Sequence, residues 1–155
     1  MMTNQELITR YPFLRPRNRW TGKLVEDADY TELDAMPYGW RKAFGEQMCE
    51  ELLEILQEGN YVDQYMITQI KEKYGSLCWY DYGVPEKVWD KYRDWLYKYE
   101  ELSARTCIRC GATATLISTG WISPYCDCVK ELEFYNAGHY VPIEEYFKEI
   151  NKWKI

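Results

Sequence analysis

The sequence predicts an α+β fold: a small helix–hairpin–helix core, a C-terminal lobe organised by cysteines, and a terminal helix. Three observations carry that prediction. Apolar residues recur at helical spacing from Trp40 to Leu56 and again from Val88 to Leu102, which marks two amphipathic helices. Between them, two short runs rich in aromatic and β-branched residues flank Tyr74-Gly75-Ser76, as in a hairpin. After the second helix, Cys107, Cys110, Cys126 and Cys128 stand in two close pairs.

Residues 1–39 read as irregular chain that wraps the domain, punctuated by Pro12, Pro16, Gly22, Pro37 and Gly39. The first helix begins at Trp40, aligns Phe44, Met48, Leu52 and Leu56 on one face, and stops at Gly59-Asn60. Tyr65 to Ile70 and Leu77 to Tyr82 are the expected strands, and Gly83 ends the second. Pro85 suits the first turn of the next helix, whose apolar face is Val88, Tyr92, Trp95, Leu96, Tyr99 and Leu102. That helix ends near Ser103 and feeds into Cys107. A short helix is expected from Val129 to Tyr135, broken by Asn136-Ala137-Gly138. Pro142 then opens the last helix, with Ile143, Phe147 and Ile150 inward. No repeat or low-complexity linker divides the chain. It is expected to form a single domain over 1–155, with the cysteine lobe at about 104–130 packed on the main core.

Composition narrows the function. A chain of 155 residues, 46% apolar and 28% charged, supports one real core and has the balance of a folded protein rather than a disordered one. Its net charge of −6 argues against a general nucleic-acid binder, which needs clustered Lys and Arg. The cations that do cluster are Arg10, Arg15, Arg17, Arg19 and Lys23. The 15 Tyr and 7 Trp exceed what a small core absorbs, and such rings favour protein interfaces. No apolar run reaches the roughly 20 residues of a membrane span, and the start of the chain is polar. The expected location is therefore the cytoplasm, where thiols stay reduced and paired cysteines point to metal rather than disulfides.

Cys107-Ile108-Arg109-Cys110-Gly111 is the most specific stretch. Two thiolates three residues apart grip one tetrahedral ion while the backbone turns between them, and the glycine permits the positive φ that follows. Cys126-Asp127-Cys128 returns after a segment that can form a small hairpin, the layout of a zinc ribbon. The C-x-C pair is tighter than the usual spacing, so Cys78, Cys49 or His139 stays open as a substitute ligand. The expected cofactor is one structural zinc on Cys107, Cys110, Cys126 and Cys128. A catalytic role is disfavoured: the sequence carries no phosphate loop, nucleophile elbow or helical His pair, and its single histidine sits in no protease pattern.

Glu46, Glu50, Glu54 and Glu58 fall four apart on the first helix, with no Lys or Arg between Lys42 and Lys71 to pair with them along that stretch. They form either a solvated face or a surface for a basic partner.

Three stretches together resemble a known family. These are Tyr38-Gly39-Trp40 leading into Met48-Cys49-Glu50-Glu51-Leu52; Ile67-Thr68-Gln69-Ile70-Lys71-Glu72-Lys73-Tyr74-Gly75-Ser76-Leu77 with Trp79-Tyr80; and Ser103-Ala104-Arg105-Thr106 running into the first cysteine pair, then Gly120-Trp121 and Cys126-Asp127. Their order resembles a family of small phage and prophage proteins without an assigned activity, across residues 38–128. In that family a hairpin and a helix lead into a C-x-x-C-G zinc module. The chain departs from it at Cys126-Asp127-Cys128, where the family tends to place one more residue before its last ligand. The resemblance implies phage origin and action inside a host bacterial cell. The profile is also similar to anti-CRISPR proteins, which implies an inhibitor that binds and blocks the RNA-guided DNA nuclease of a type II system by protein contact. The competing reading is a zinc-containing nucleic-acid-binding or transcription accessory protein, using Arg15, Arg17, Arg19 and Lys23 with Tyr11, Phe13 and Trp20 as its arm.

Overall fold

A computed structural model describes residues 1–153 and has the expected α+β architecture. The first long helix starts at Tyr38, two residues before the apolar spacing begins. An α turn, α2 (Tyr38–Trp40), passes through a π-helical segment, Arg41–Gly45, into α3 (Glu46–Glu58), all in helical dihedrals. The wider π turn shifts the helical register, and Trp40, Phe44, Met48, Leu52 and Leu56 are all still buried. Strands β1 (Ile67–Lys73) and β2 (Ser76–Asp81) pair antiparallel, with Ile70 opposite Trp79 on the face toward the core. The connection is the two-residue turn Tyr74-Gly75, with φ of 52° and 84°. Positive φ at both central residues is what a type I′ hairpin requires. Glycine meets that demand freely, whereas tyrosine there costs about 1–2 kcal/mol of backbone strain.

Helix α4 (Trp89–Ala104), preceded by a 3-10 turn at Glu86–Val88, packs on β2 and α3. Aromatic rings dominate this contact. Trp79 and Trp95 meet edge to face at 5.5 Å, and the Trp95 indole N–H donates to the Met48 carbonyl at 2.9 Å. At the end of β2, the hydroxyls of Tyr65 and Tyr92 both donate to the Asp81 carboxylate, and Trp79 Nε1 donates to the Tyr65 oxygen at 2.8 Å. Burial, reinforced by Asp81, pushes both hydroxyls well above the ordinary tyrosine range, so they remain donors.

The N-terminal segment corrects the expectation of irregular chain. Residues Asn4–Arg10 form a helix, α1, opened by a capping box in which Thr3 and Glu6 satisfy each other's backbone N–H groups. Pro12–Leu14 and Glu32–Ala35 form 3-10 turns. Leu7, Leu14 and Leu33 from this segment are fully buried in the main core, so it is a wall of that core rather than a wrapper.

The C-terminal lobe has a three-stranded antiparallel sheet in the order β4 (Pro124–Tyr125), β3 (Leu116–Ser118), β5 (Tyr140–Pro142). Helix α5 (Ile143–Asn151) follows directly. The short helix expected from Val129 is a 3-10 turn at Asp127–Glu131 instead. It begins earlier because Cys126 Sγ accepts the Cys128 N–H and acts as its cap. No described helix is long and apolar enough to cross a membrane.

Candidate metal centre

The sulfurs of Cys107, Cys110, Cys126 and Cys128 all lie within 4.8 Å of one another. The closest approaches cross between the two pairs: Cys107 to Cys128 at 3.6 Å and Cys110 to Cys126 at 3.4 Å. Metal–sulfur bonds of about 2.3 Å in tetrahedral geometry require sulfurs about 3.8 Å apart, so the cluster is close to the size of one ion's shell. The spacing is also far beyond the ~2.05 Å of a disulfide bond. Both members of the tight C-x-C pair belong to the cluster. Among the described residues, Cys49, Cys78 and His139 lie outside it: Cys49 is buried on α3, Cys78 sits on β2, and His139 is exposed before β5.

Backbone hydrogen bonds hold this arrangement. The Gly111 N–H closes the first knuckle onto the Cys107 carbonyl at 3.0 Å, with Gly111 at φ 86°. The Cys107 N–H donates to Ala112, and the Ile108 N–H donates to Pro124 at 2.9 Å, which ties the first knuckle to β4 just ahead of Cys126. Arg109 Nη1 donates to the Cys128 carbonyl at 2.9 Å, linking the two knuckles from outside. Burial pushes the Cys107 thiol up. Backbone hydrogen bonds from Cys126, Cys110 and Arg109 outweigh it and bring the thiol down to about 7. Burial raises Cys126 to about 12, where neighbouring thiols compete for its charge. To hold a cation, the four sulfurs would give up the protons that remain on them.

The Tyr38-Gly39-Trp40 motif finds its role here, one that helical periodicity does not reveal. The Gly39 N–H donates to the Ile108 carbonyl at 2.9 Å, and the Trp40 indole donates to the Thr106 carbonyl at 2.9 Å. A Cβ on Gly39 would stand 2.2 Å from the Cys107 carbonyl oxygen, and one on Gly111 would stand 2.7 Å from the Gly39 oxygen. The start of the helix and the first cysteine knuckle therefore touch backbone to backbone. A glycine in a G-W pair ahead of a helix was the available signal.

The acidic row is less bare than the sequence implies. Arg10 pairs with Glu50, Lys91 with Glu58, and Lys98 with the neighbouring Glu51, each cation arriving from another element. The Met2 N–H donates to Glu46. Glu54 is exposed and has no partner among the described residues. The cationic segment is also occupied: Arg15 donates to the Glu26 carbonyl, and Arg17 to those of Gly22 and Asp63. Tyr11 and Phe13 are buried in the main core, leaving Trp20 as the exposed ring of that segment.

Comparison with protein-family models, with curated proteins and with solved structures returned no match.

Proposed function

We propose that this chain is a zinc-stabilised protein-binding module that acts as an inhibitor, occupying a host RNA-guided DNA nuclease of a type II CRISPR system without chemical turnover. One observation carries the binding part. The lobe built around the cysteine cluster displays Trp121 at 80% exposure and Phe134 at 90%. Rings that the fold leaves in water are characteristic anchors of protein interfaces. The nuclease as target rests on the resemblance to phage proteins, and action in the host cytoplasm follows from it.

The metal reading is supported by the donor set. Four thiolates leave no open position, which is the arrangement of a structural rather than a catalytic zinc. Cys107, Cys110, Cys126 and Cys128 would hold it, and it would supply folding free energy to a lobe with few buried side chains. Four sulfurs in a tetrahedron also suit iron, so metal analysis of protein purified without added metal is the first test. Zinc at one per chain is expected; a coloured, iron-containing preparation or metal-free folded protein would reject the assignment. The nucleic-acid reading loses support, since Arg15 and Arg17 donate to backbone carbonyls of their own loop, and Arg17 also to that of Asp63.

The target is tested by titrating the protein into a cleavage assay of the nuclease with its guide. Inhibition is expected to saturate at a fixed molar ratio and leave the nuclease intact. Silencing at substoichiometric amounts, or a cleaved or modified nuclease, would point to an enzyme. No complex and no inhibition would remove this target.

A further inference from the structure

A cleft of about 500 Å³ opens between the tip of the first hairpin and the loop that joins the two cysteine pairs. Lys71, Lys73 and Tyr74 line one wall, and Trp121 and Ile122 the other. Two features mark it as built for contact. Tyr74 occupies the left-handed turn position that Asn or Gly fills without strain, yet its ring is 78% exposed and adds nothing to the core. Strain held at an exposed ring points toward function. Trp121, also exposed, is held by its indole N–H on Glu72 Oε2 at 3.2 Å, while Glu72 Oε1 accepts the Gly75 N–H at 2.8 Å.

The charge of the cleft is the second guide. Glu72 is engaged by those two donors. Lys71 and Lys73 have no ion pair among the described residues, and their ammonium groups stand 5.8 Å from the rings of Tyr80 and Tyr74. A chain of net charge −6 thus keeps two uncommitted cations among the residues of this cleft, and that of Lys73 stands beside the exposed Tyr74 ring. We infer that this cleft docks a segment of a partner protein carrying carboxylates beside a large apolar side chain. The rings take the apolar anchor, and the lysines take the carboxylates. A single-stranded nucleic acid would also stack on the rings, but two lysines neutralise too few phosphates to hold it. The inference rests on the reading of the chain as a protein-binding module, and it concerns a different surface from the acidic row.

The probe is a random-peptide library panned against the metal-loaded protein, followed by anisotropy with the selected peptide. Selected sequences are expected to place Asp or Glu next to Trp, Phe or Leu. Trp121→Ala should weaken the peptide about 30-fold, the loss typical of an interface anchor. Combined Lys71→Glu and Lys73→Glu should abolish binding. Tyr74→Asn separates contact from folding: Tm should stay equal or rise, while affinity falls about fivefold. No enriched motif, a motif without acids, or a motif indifferent to these substitutions would overturn the inference. Binding of oligothymidine that is lost in Trp121→Ala would overturn it in favour of nucleic acid. Capture of the nuclease unaffected by Trp121→Ala removes this site and leaves the inhibitor reading standing. Failure of the wild-type protein to capture the nuclease removes that reading, and the peptide result still decides the cleft.

Discussion

The main core and the cysteine lobe are closed in opposite ways. The core buries Leu7, Leu14, Trp40, Leu52, Tyr65, Trp79, Trp95 and Tyr99, drawn from the N-terminal segment, both long helices and the hairpin. Among the described residues, the lobe's own apolar cluster has Ala114, Ile117 and Ile143 as buried members, with Val129 buried apart from it. Its strands are two or three residues long. Apolar burial alone cannot offset the chain entropy of ordering such a segment. The first region stands on packing, and the second stands on its four sulfurs and on what the core lends it.

The largest expected effect breaks the lobe and spares the core. Cys107→Ser or Cys110→Ser removes a ligand from a site whose metal would supply roughly 10 kcal/mol or more of folding free energy. Hydrogen exchange is then expected to speed up at Ile117 and Ser118, while amides of α3 and α4 stay protected. Cys49→Ser, outside the cluster, is expected to keep the metal. Uniform loss of protection across both regions would show that the core also depends on the site.

The seam between the regions comes next. Gly39→Ala puts a methyl group 2.2 Å from the Cys107 carbonyl, where both sides are backbone and neither yields easily. A loss of about 3 kcal/mol is expected from urea unfolding, at the upper end for overpacking. Metal affinity should fall as well, because the knuckle must move. A variant with unchanged stability would mean the two regions are less tightly locked than the Gly39–Ile108 hydrogen bond implies.

How much of this was legible in the sequence divides along the same line. The core announces itself through long periodic runs: both helices, the apolar face of each and the hairpin follow from spacing and turn residues. The cysteine cluster was legible because its thiols come in local pairs, and both members of the short C-x-C pair reach it. Two kinds of feature were hidden. Elements of three residues, such as β5, show no periodicity, and α1 was masked by its shortness, its polar residues and the Pro12 that follows it, although Thr3 and Glu6 spell a capping box. Pairings between distant positions were also hidden. Nothing in the helix says that Arg10, forty positions earlier, reaches Glu50.

Within the core, the Asp81 network is expected to matter less than the seam but measurably. Asp81→Ala leaves the Tyr65 and Tyr92 hydroxyls without their acceptor, at a cost of about 1–3 kcal/mol. Asp81→Asn keeps one acceptor oxygen and should lose less. Thermal unfolding of the two variants checks the order, and no lobe-specific change in hydrogen exchange should accompany either.

The smallest effect separates two glutamates of one row. Glu50 accepts hydrogen bonds from Arg10 and from the Tyr11 hydroxyl, and these hold its carboxyl below the usual range. A depressed carboxylate stabilises the fold above its unfolded pKa, and that contribution disappears as pH falls through the folded value. Glu50→Gln should therefore be slightly less stable than wild type near neutral pH, and the gap should close below about pH 4. Glu54 has no such partner among the described residues and lies four positions from both Glu50 and Glu58. Glu54→Gln should be neutral or marginally stabilising, because like-charge repulsion is relieved. If the row also meets a basic partner, Glu54 is the member free to do so. Its substitution should then lower affinity at low salt, lose that effect at high salt, and leave Tm unchanged. Equal stability changes at both positions would mean the Arg10 pair adds nothing to the fold, and the row would return to being an undifferentiated solvated face.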